Sequence, residues 1–258
     1  MKVAVVGKGG VGKTFIAGAL SRLIRKSGDA VIAIDADPSM NLYLELGVEP
    51  ETFKKITPLF EDKVLIKERT GIGGLDENYP VFNLNPYVAD IVDRYAVESP
   101  EGVKLLILGT VTGAGKGCMC PANALLRALL RHVFRRVDAA VIVDMEAGLE
   151  HLGRGTIEYV DVVLNILEPS IQSIETSLRI RSLAEELGVK RHLFIANKVS
   201  NHEQEKFISD ELRRHGFPLD LMIPYDERVR LSGLRLSGLT AALPPIELLE
   251  ELKKRLYE

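Results

Sequence analysis

Cysteine is nearly absent from this chain. Its 258 residues hold two, Cys118 and Cys120, too close together to staple a fold. In a reducing compartment such a pair reads as metal-binding or redox-active before structural. A basic excess is missing too. Lys and Arg number 33 against 36 Asp and Glu, a formal charge of −3, so the electrostatic footprint of a general nucleic-acid binder is lacking. No apolar run approaches the ~18 residues of a membrane span. There is no internal repeat, low-complexity tract or linker. The opening Met1-Lys2 runs directly into Val3-Ala4-Val5-Val6 without room for a secretory signal, and a cytoplasmic location is expected. What is present is ordinary globular material, 46% hydrophobic and 27% charged, which excludes a disordered protein.

Short apolar runs bounded by turn residues alternate with stretches of helical period, the pattern of βαβ units. Strands are expected at Val3–Val6, Val31–Ile34, Lys104–Leu108, Ala139–Asp144, Val162–Leu167, Leu193–Ala196 and Leu221–Ile223. Helices are expected at Lys13–Lys26, Ala122–Arg135, Ile171–Leu187, His202–His215 and Ile246–Tyr257. Strands so uniformly apolar are covered on both faces, so the fold class is α/β: a doubly wound, mostly parallel sheet flanked by helices, in a single domain over residues 1–258. Residues 50–102, with mixed charge and a strand candidate only at Val81–Leu84, read as an irregular excursion from that sheet.

Gly7-Lys8-Gly9-Gly10-Val11-Gly12-Lys13-Thr14 joins the first strand to the first helix. The string satisfies both the dinucleotide fingerprint and the P-loop. Either way glycines let the backbone approach an anion, and N–H groups at the helix start point at phosphate oxygens. Asp35, ending the second strand, sits near where a ribose-binding acid belongs. Lys13-Thr14 decides for the P-loop: a lysine reaches β- and γ-phosphates and a hydroxyl ligates Mg²⁺, neither of which a dinucleotide site needs. The loop from Gly9 through Gly10, Val11, Gly12, Lys13 and Thr14 to Phe15 is therefore the expected ATP/ADP cradle.

Lys8 is not needed to cradle phosphate from its own subunit. At this residue the loop resembles the deviant Walker A family, which includes nitrogenase iron protein, the arsenite and tail-anchored-protein ATPases, and the division-site and chromosome-partition ATPases. The resemblance implies that Lys8 crosses a dimer interface to the partner's nucleotide, neutralising charge as an arginine finger does. ATP would then close two subunits face to face.

Ile34-Asp35-Ala36-Asp37-Pro38-Ser39 stands where the first switch of such an ATPase lies. The family pattern makes Asp37 the water-activating acid and leaves Asp35 a weaker candidate for the metal shell; helix capping by Asp37, with Pro38 at the first helical position, is compatible with that role. Ala140–Asp144 is an apolar strand ending in an acid, so Asp144 is expected to meet Mg²⁺ through a water, with Gly148 offering its N–H to the γ-phosphate. Asn197-Lys198 follows another apolar strand and is the expected base reader, since an amide carries donor and acceptor for adenine. Position 200 is Ser rather than the guanine-reading Asp, which favours ATP over GTP. Pro224-Tyr225-Asp226 forms either the opposite wall of that pocket or a plain strand-ending turn.

Cys118-Met119-Cys120-Pro121 precedes a helix. C-x-C spacing can put both sulfurs on one side of an extended segment, half of a tetrahedral soft-metal site. There is no third cysteine, and His132 lies roughly 16 Å along the helix at 1.5 Å per residue. His151, His192, His202 and His215 are not at ligand spacing. A symmetric dimer completes the count, with two thiolates from each copy; a vicinal redox pair or two buried small residues remain alternatives. Ni²⁺ and Zn²⁺ suit such ligands equally. Gly115 to Pro121, together with Asp144-Met145-Glu146-Ala147-Gly148-Leu149-Glu150-His151-Leu152-Gly153-Arg154-Gly155, resembles the nickel-insertion ATPases that mature carbon monoxide dehydrogenase. The resemblance implies one nickel or zinc ion held between subunits by Cys118 and Cys120, delivered to the Ni–Fe–S cluster of carbon monoxide dehydrogenase as ATP is hydrolysed. A spatial regulator of the partition or division type is the alternative reading.

Two further features have structural readings. Arg127, Arg131 and Arg135 share a helix face, either a dock for an acidic client or a solvated stripe. Ile246–Tyr257 has an acid-rich face that anionic lipid would repel, so core packing is expected rather than membrane association.

Overall fold

The computed structural model describes residues 1–71, 83–109, 120–146, 159–232 and 244–257, the side chains of 120–122 and 232 excepted. The elements run β1 (Lys2–Val6), α1 (Lys13–Lys26), β2 (Val31–Ala36), α2 (Leu42–Glu45), α3 (Pro50–Phe53), α4 (Lys63–Thr70), α5 (Ile91–Tyr95), β3 (Val97–Glu98), β4 (Lys104–Ile107), α6 (Cys120–Arg136), β5 (Ala140–Met145), β6 (Val162–Leu167), α7 (Ile171–Glu186), β7 (His192–Val199), α8 (His202–Arg214), β8 (Leu221–Pro224), α9 (Glu227–Ser232) and α10 (Ile246–Tyr257). One sheet carries the strands in the order β3-β4-β2-β5-β1-β6-β7-β8. Every pairing is parallel except β3 with β4. The expected doubly wound sheet is thus observed.

Side-chain alternation along the strands splits the core into two layers. Ala4, Ile32, Ile34, Leu106, Val141 and Val143 pack under α4, α5, α6 and α7. Val3, Val5, Ala33, Leu105, Ile142 and Leu164 pack against α1, α2 and α10. Neither face is left wet, which is why no strand shows the polar alternation of a one-sided sheet. A third cluster, with Leu167, Phe194, Ile208 and Leu212, seats α8 at the β7 edge.

The described part of 50–102 is more regular than its composition suggests. It holds three short helices and β3, and Leu59, Leu65, Ile91 and Val92 are fully or nearly fully buried in the main core. Asp62 caps α4 by accepting from Leu65 N at 2.8 Å. Of the expected strand at Val81–Leu84, Asn83 and Leu84 are not in a strand, and Val81 and Phe82 lie outside the described residues. β3 is too short to leave a sequence pattern and is made by pairing with β4.

The arginine face of α6 is only partly a solvated stripe. Arg127 is exposed, whereas Arg131 donates to Asn85 Oδ1 at 2.6 Å and Arg135 stands 5.0 Å from the Tyr159 ring centroid. α10 buries Leu249, Leu252 and Leu256, and no described helix is long and apolar enough to cross a membrane. Leu20, on α1, is completely buried in the lower layer. Leu20→Ala is expected to remove ~2–5 kcal/mol of unfolding free energy, read as a lower urea midpoint at unchanged slope.

Candidate functional site

Three strand ends meet at one point of the sheet. β1 sits between β5 and β6, and β2 pairs β5 on its other side, so Val5 faces Asp144 and Asp144 faces Asp35 in register. The chain leaves β1 through the glycine loop, which turns back into α1. Gly7 and Gly12 are glycine by necessity. A Cβ on Gly7 would lie 2.1 Å from the Ile166 carbonyl oxygen, and one on Gly12 would lie 2.4 Å from Asn197 Nδ2; both have left-handed φ, +144° and +100°. α1 has no side-chain cap and no acid in its first turn. Its N–H groups and dipole are accordingly left for an anion.

Lys13 is buried, and its ammonium donates to the Lys8 carbonyl at 3.3 Å. Burial lowers its pKa, opposed by the charges of Asp144, Asp37 and Glu146. The Lys8 side chain, half-buried, makes no hydrogen bond or ion pair with any described residue.

Asp35 and Asp144 are both completely buried. Asp35 is satisfied locally: Oδ2 accepts from Leu42 N at 2.9 Å and Oδ1 from Asp37 N at 3.2 Å. Burial nonetheless raises its pKa to about 7. The expectation that Asp37 caps a helix begun by Pro38 is corrected. Residues 37–39 form a turn, Asp37 Oδ1 accepts from Ser39 N at 2.8 Å, and the first amide of α2 is taken by Asp35. The physical reason is burial, because Asp35 must fill its acceptors and Asp37, half-buried, need not.

Asp144 has no such relief. Neither carboxylate oxygen has a geometrically sound hydrogen bond, although the Thr14 hydroxyl is near enough to hold its pKa down somewhat. Burial dominates and, with Asp35 alongside, pushes it to about 8. An orphaned buried carboxylate beside a hydroxyl and a phosphate cradle is what a Mg²⁺ shell requires, and Thr14 with Asp144 fits it.

Asn197 and Lys198 come off β7 against the loop. Asn197 Nδ2 donates to Val11 O at 2.8 Å, and the Lys198 ammonium donates to the Gly10 carbonyl. Lys198 has a left-handed backbone, φ +62°. Beside them opens a cavity of about 340 Å³ lined by Gly12, Phe15, Asn197, Lys198, Pro224, Tyr225 and Asp226. Sequence-selected residues far apart in the chain thus share one space. Asp226 is engaged by Arg228, whose N–H reaches Oδ1 at 2.8 Å, and the Tyr225 hydroxyl donates to Glu227 Oε2. Glu45, which no motif singles out, lines the same cavity. Asn165, buried on β6 with both amide atoms unpartnered, was equally invisible to spacing arguments. Cys118 and Gly148 lie outside the described residues; Cys120 is the first residue of α6. No cluster of three or more metal-ligating side chains occurs among the described residues.

Residues 2–237 match the model of the CobQ/CobB/MinD/ParA nucleotide binding domain. The chain belongs to this family of nucleotide-binding ATPases. Among curated relatives of this ATPase, the carbon monoxide dehydrogenase accessory protein CooC of Rhodospirillum rubrum is 44% identical over 230 residues, 89% of this chain and 86% of that one. An ATP-binding protein of Methanocaldococcus jannaschii is 45% identical over 233 residues, covering 89% and 87%. In fold, the ATPase is similar to the MinD cell division protein of Aquifex aeolicus, with TM-score 0.64 at 19% identity over 100% of this chain and 97% of that one. It is also similar to a ParA family ATPase of Chlorobium tepidum TLS, with TM-score 0.65 at 20% identity over 93% and 90%.

The raised pKa values carry a stability consequence. A carboxyl whose pKa is higher folded than unfolded holds its proton longer in the native state, so stability falls as pH rises between the two values. The nucleotide-free ATPase is expected to lose stability from about pH 4 up to about pH 8, the range closed by Asp144. Thermal melts across that range should show a shallower decline in Asp144→Asn.

Proposed function

We propose that this ATPase is a cytoplasmic maturation factor for carbon monoxide dehydrogenase, which carries nickel or zinc as cargo and couples its delivery to ATP hydrolysis. The observation that carries the reading is the 44% identity, over 89% of the chain, to an accessory protein of that enzyme. The cargo is held by Cys118 and Cys120. Two thiols are half of a tetrahedral set, so two copies of the chain share one ion, with four thiolates meeting on a two-fold axis. A reducing compartment keeps those thiols available.

The chemistry of the nucleotide site follows from its geometry. The glycine loop and the open start of α1 bind the phosphates through backbone N–H groups, and Lys13 meets the β- and γ-phosphates with a charge sharpened by burial. Thr14 and Asp144 would hold Mg²⁺, which supplies positive charge against the β- and γ-oxygens. Asp37, half-buried and free of helix capping, orients the attacking water and takes its proton. Gly148 supports the γ-phosphate with its N–H. Lys8, whose side chain has no partner among the described residues, reaches the nucleotide of the second copy, so ATP draws the two halves of the metal site together. Asn197, Lys198, Pro224, Tyr225 and Asp226 enclose the base.

Nickel titration followed by native mass spectrometry, with and without a non-hydrolysable ATP analogue, tests the assembly. One ion per two chains is expected, lost in Cys118→Ala or Cys120→Ala. One ion per single chain, or retained metal in the variants, counts against it. A partition or division role would leave function intact in the double cysteine variant.

The roles within the nucleotide site separate by variant. Asp37→Ala is expected to retain ATP binding while phosphate release falls by about 10²–10⁴. Lys8→Ala should bind ATP as a monomer, seen by light scattering.

A further inference from the structure

The end of α2 presents a carboxyl that local structure does nothing to justify. Glu45 is the last residue of a four-residue helix that has no basic residue in its last turn to meet a carboxylate there. It is half-buried and makes no hydrogen bond or salt bridge with any described residue. Its position is nevertheless enforced. A Cβ on Gly18 of α1 would lie 2.5 Å from Glu45 Cβ, so glycine there is what lets α2 close on α1. From that seat Glu45 lines the cavity next to Gly12 and Phe15.

The charged and titratable groups around it are already committed. Arg22, on α1, acts on Glu45 by its charge, and its guanidinium is bonded to Glu101 at 2.6 and 3.0 Å. Across the cavity Lys198 is held by Gly10, Asp226 by Arg228, Arg230 by Glu227, and the Tyr225 hydroxyl by Glu227. Among the described residues the Glu45 carboxyl therefore has no hydrogen-bond or ion-pair partner, and it lines the space that a ligand would fill.

We propose that Glu45 is a specificity-determining residue for the nucleotide base, hydrogen-bonding the amino edge of a purine. The proposal rests on the reading of this cavity as the base pocket. A protonated carboxyl offers a donor and an acceptor side by side, which match a ring nitrogen and the exocyclic amine of adenine. An ionised carboxylate offers acceptors only, which match the adjacent N–H and amino groups of guanine. Burial brings the Glu45 carboxyl up to about 7, so both forms are populated near neutrality. The same pocket then favours ATP below that pH and loses its preference above it.

The test is the ratio of GTP to ATP dissociation constants, measured with Mg²⁺ and non-hydrolysable analogues at pH 6 and pH 8. Phosphate, Lys13, Asp35 and Asp144 titrations are common to both nucleotides and cancel in the ratio. In the wild type it is expected to fall about tenfold over that range, one pKa unit of differential interaction being a factor of ten. Glu45→Gln, a fixed donor and acceptor of the same shape, should hold the ratio constant at the acidic value. A pH-independent wild-type ratio, or an unchanged slope in Glu45→Gln, overturns the proposal. Tyr225→Ala on the opposite wall keeps the two readings apart. If it weakens both nucleotides while the ratio stays flat, the base lies in the cavity and Glu45 does not read it. If it leaves both affinities unchanged, the cavity is not the base pocket and the proposal falls with it.

Discussion

The candidate site depends on one constraint, the placement of the Asp144 carboxylate where little can satisfy it. It lies near the end of a strand covered on both faces and flanked by β1 and β2, completely buried, with the Thr14 hydroxyl and the Lys13 charge as its relief. A buried group in that state costs on the order of 1–3 kcal/mol, more when charged. The structure tolerates it only as a proton carrier or as half of an ion pair completed from outside. Asp144, Asp35 and the buried Lys13 are gathered at one end of the sheet because the parallel strands present their C-terminal ends together.

That arrangement explains why much of the architecture could be read from the sequence. The strands from Val3 to Ile223 are unbroken apolar runs because both faces are covered, and the same burial makes them conspicuous. α1 and α10 were legible to the residue since the glycine loop precedes one and Pro244-Pro245 the other, and both end in basic turns. The segment 50–102 was not. Its short helices are held by tertiary contacts through Leu59, Leu65 and Ile91 rather than by any period of their own. β3, two residues long, exists only because β4 is there to pair with it.

Within the site, motif residues and unmarked residues differ in kind. Lys13 and Thr14 are marked by the P-loop string and Asp144 by its place at the end of an apolar run. Glu45 and Asn165 leave no pattern, since a carboxyl at the end of a four-residue helix and an amide inside a strand become notable only when their surroundings are known. Asp35 and Asp37 illustrate the same limit. Two acids separated by one residue look interchangeable in a string, and only burial shows that Asp35 is consumed in holding α2 while Asp37, half-buried, bonds to its neighbour Ser39 through one oxygen.

The ties from β7 to the glycine loop have a consequence for how this ATPase handles its fuel. Asn197 and Lys198 clasp the carbonyls of Val11 and Gly10, so the loop is braced from behind by the strand that borders the cavity beside Gly12 and Phe15. A cradle ordered in advance loses little conformational freedom when phosphate arrives. The conformational entropy that a loose loop would lose on closing round an anion is, in this chain, already spent in folding.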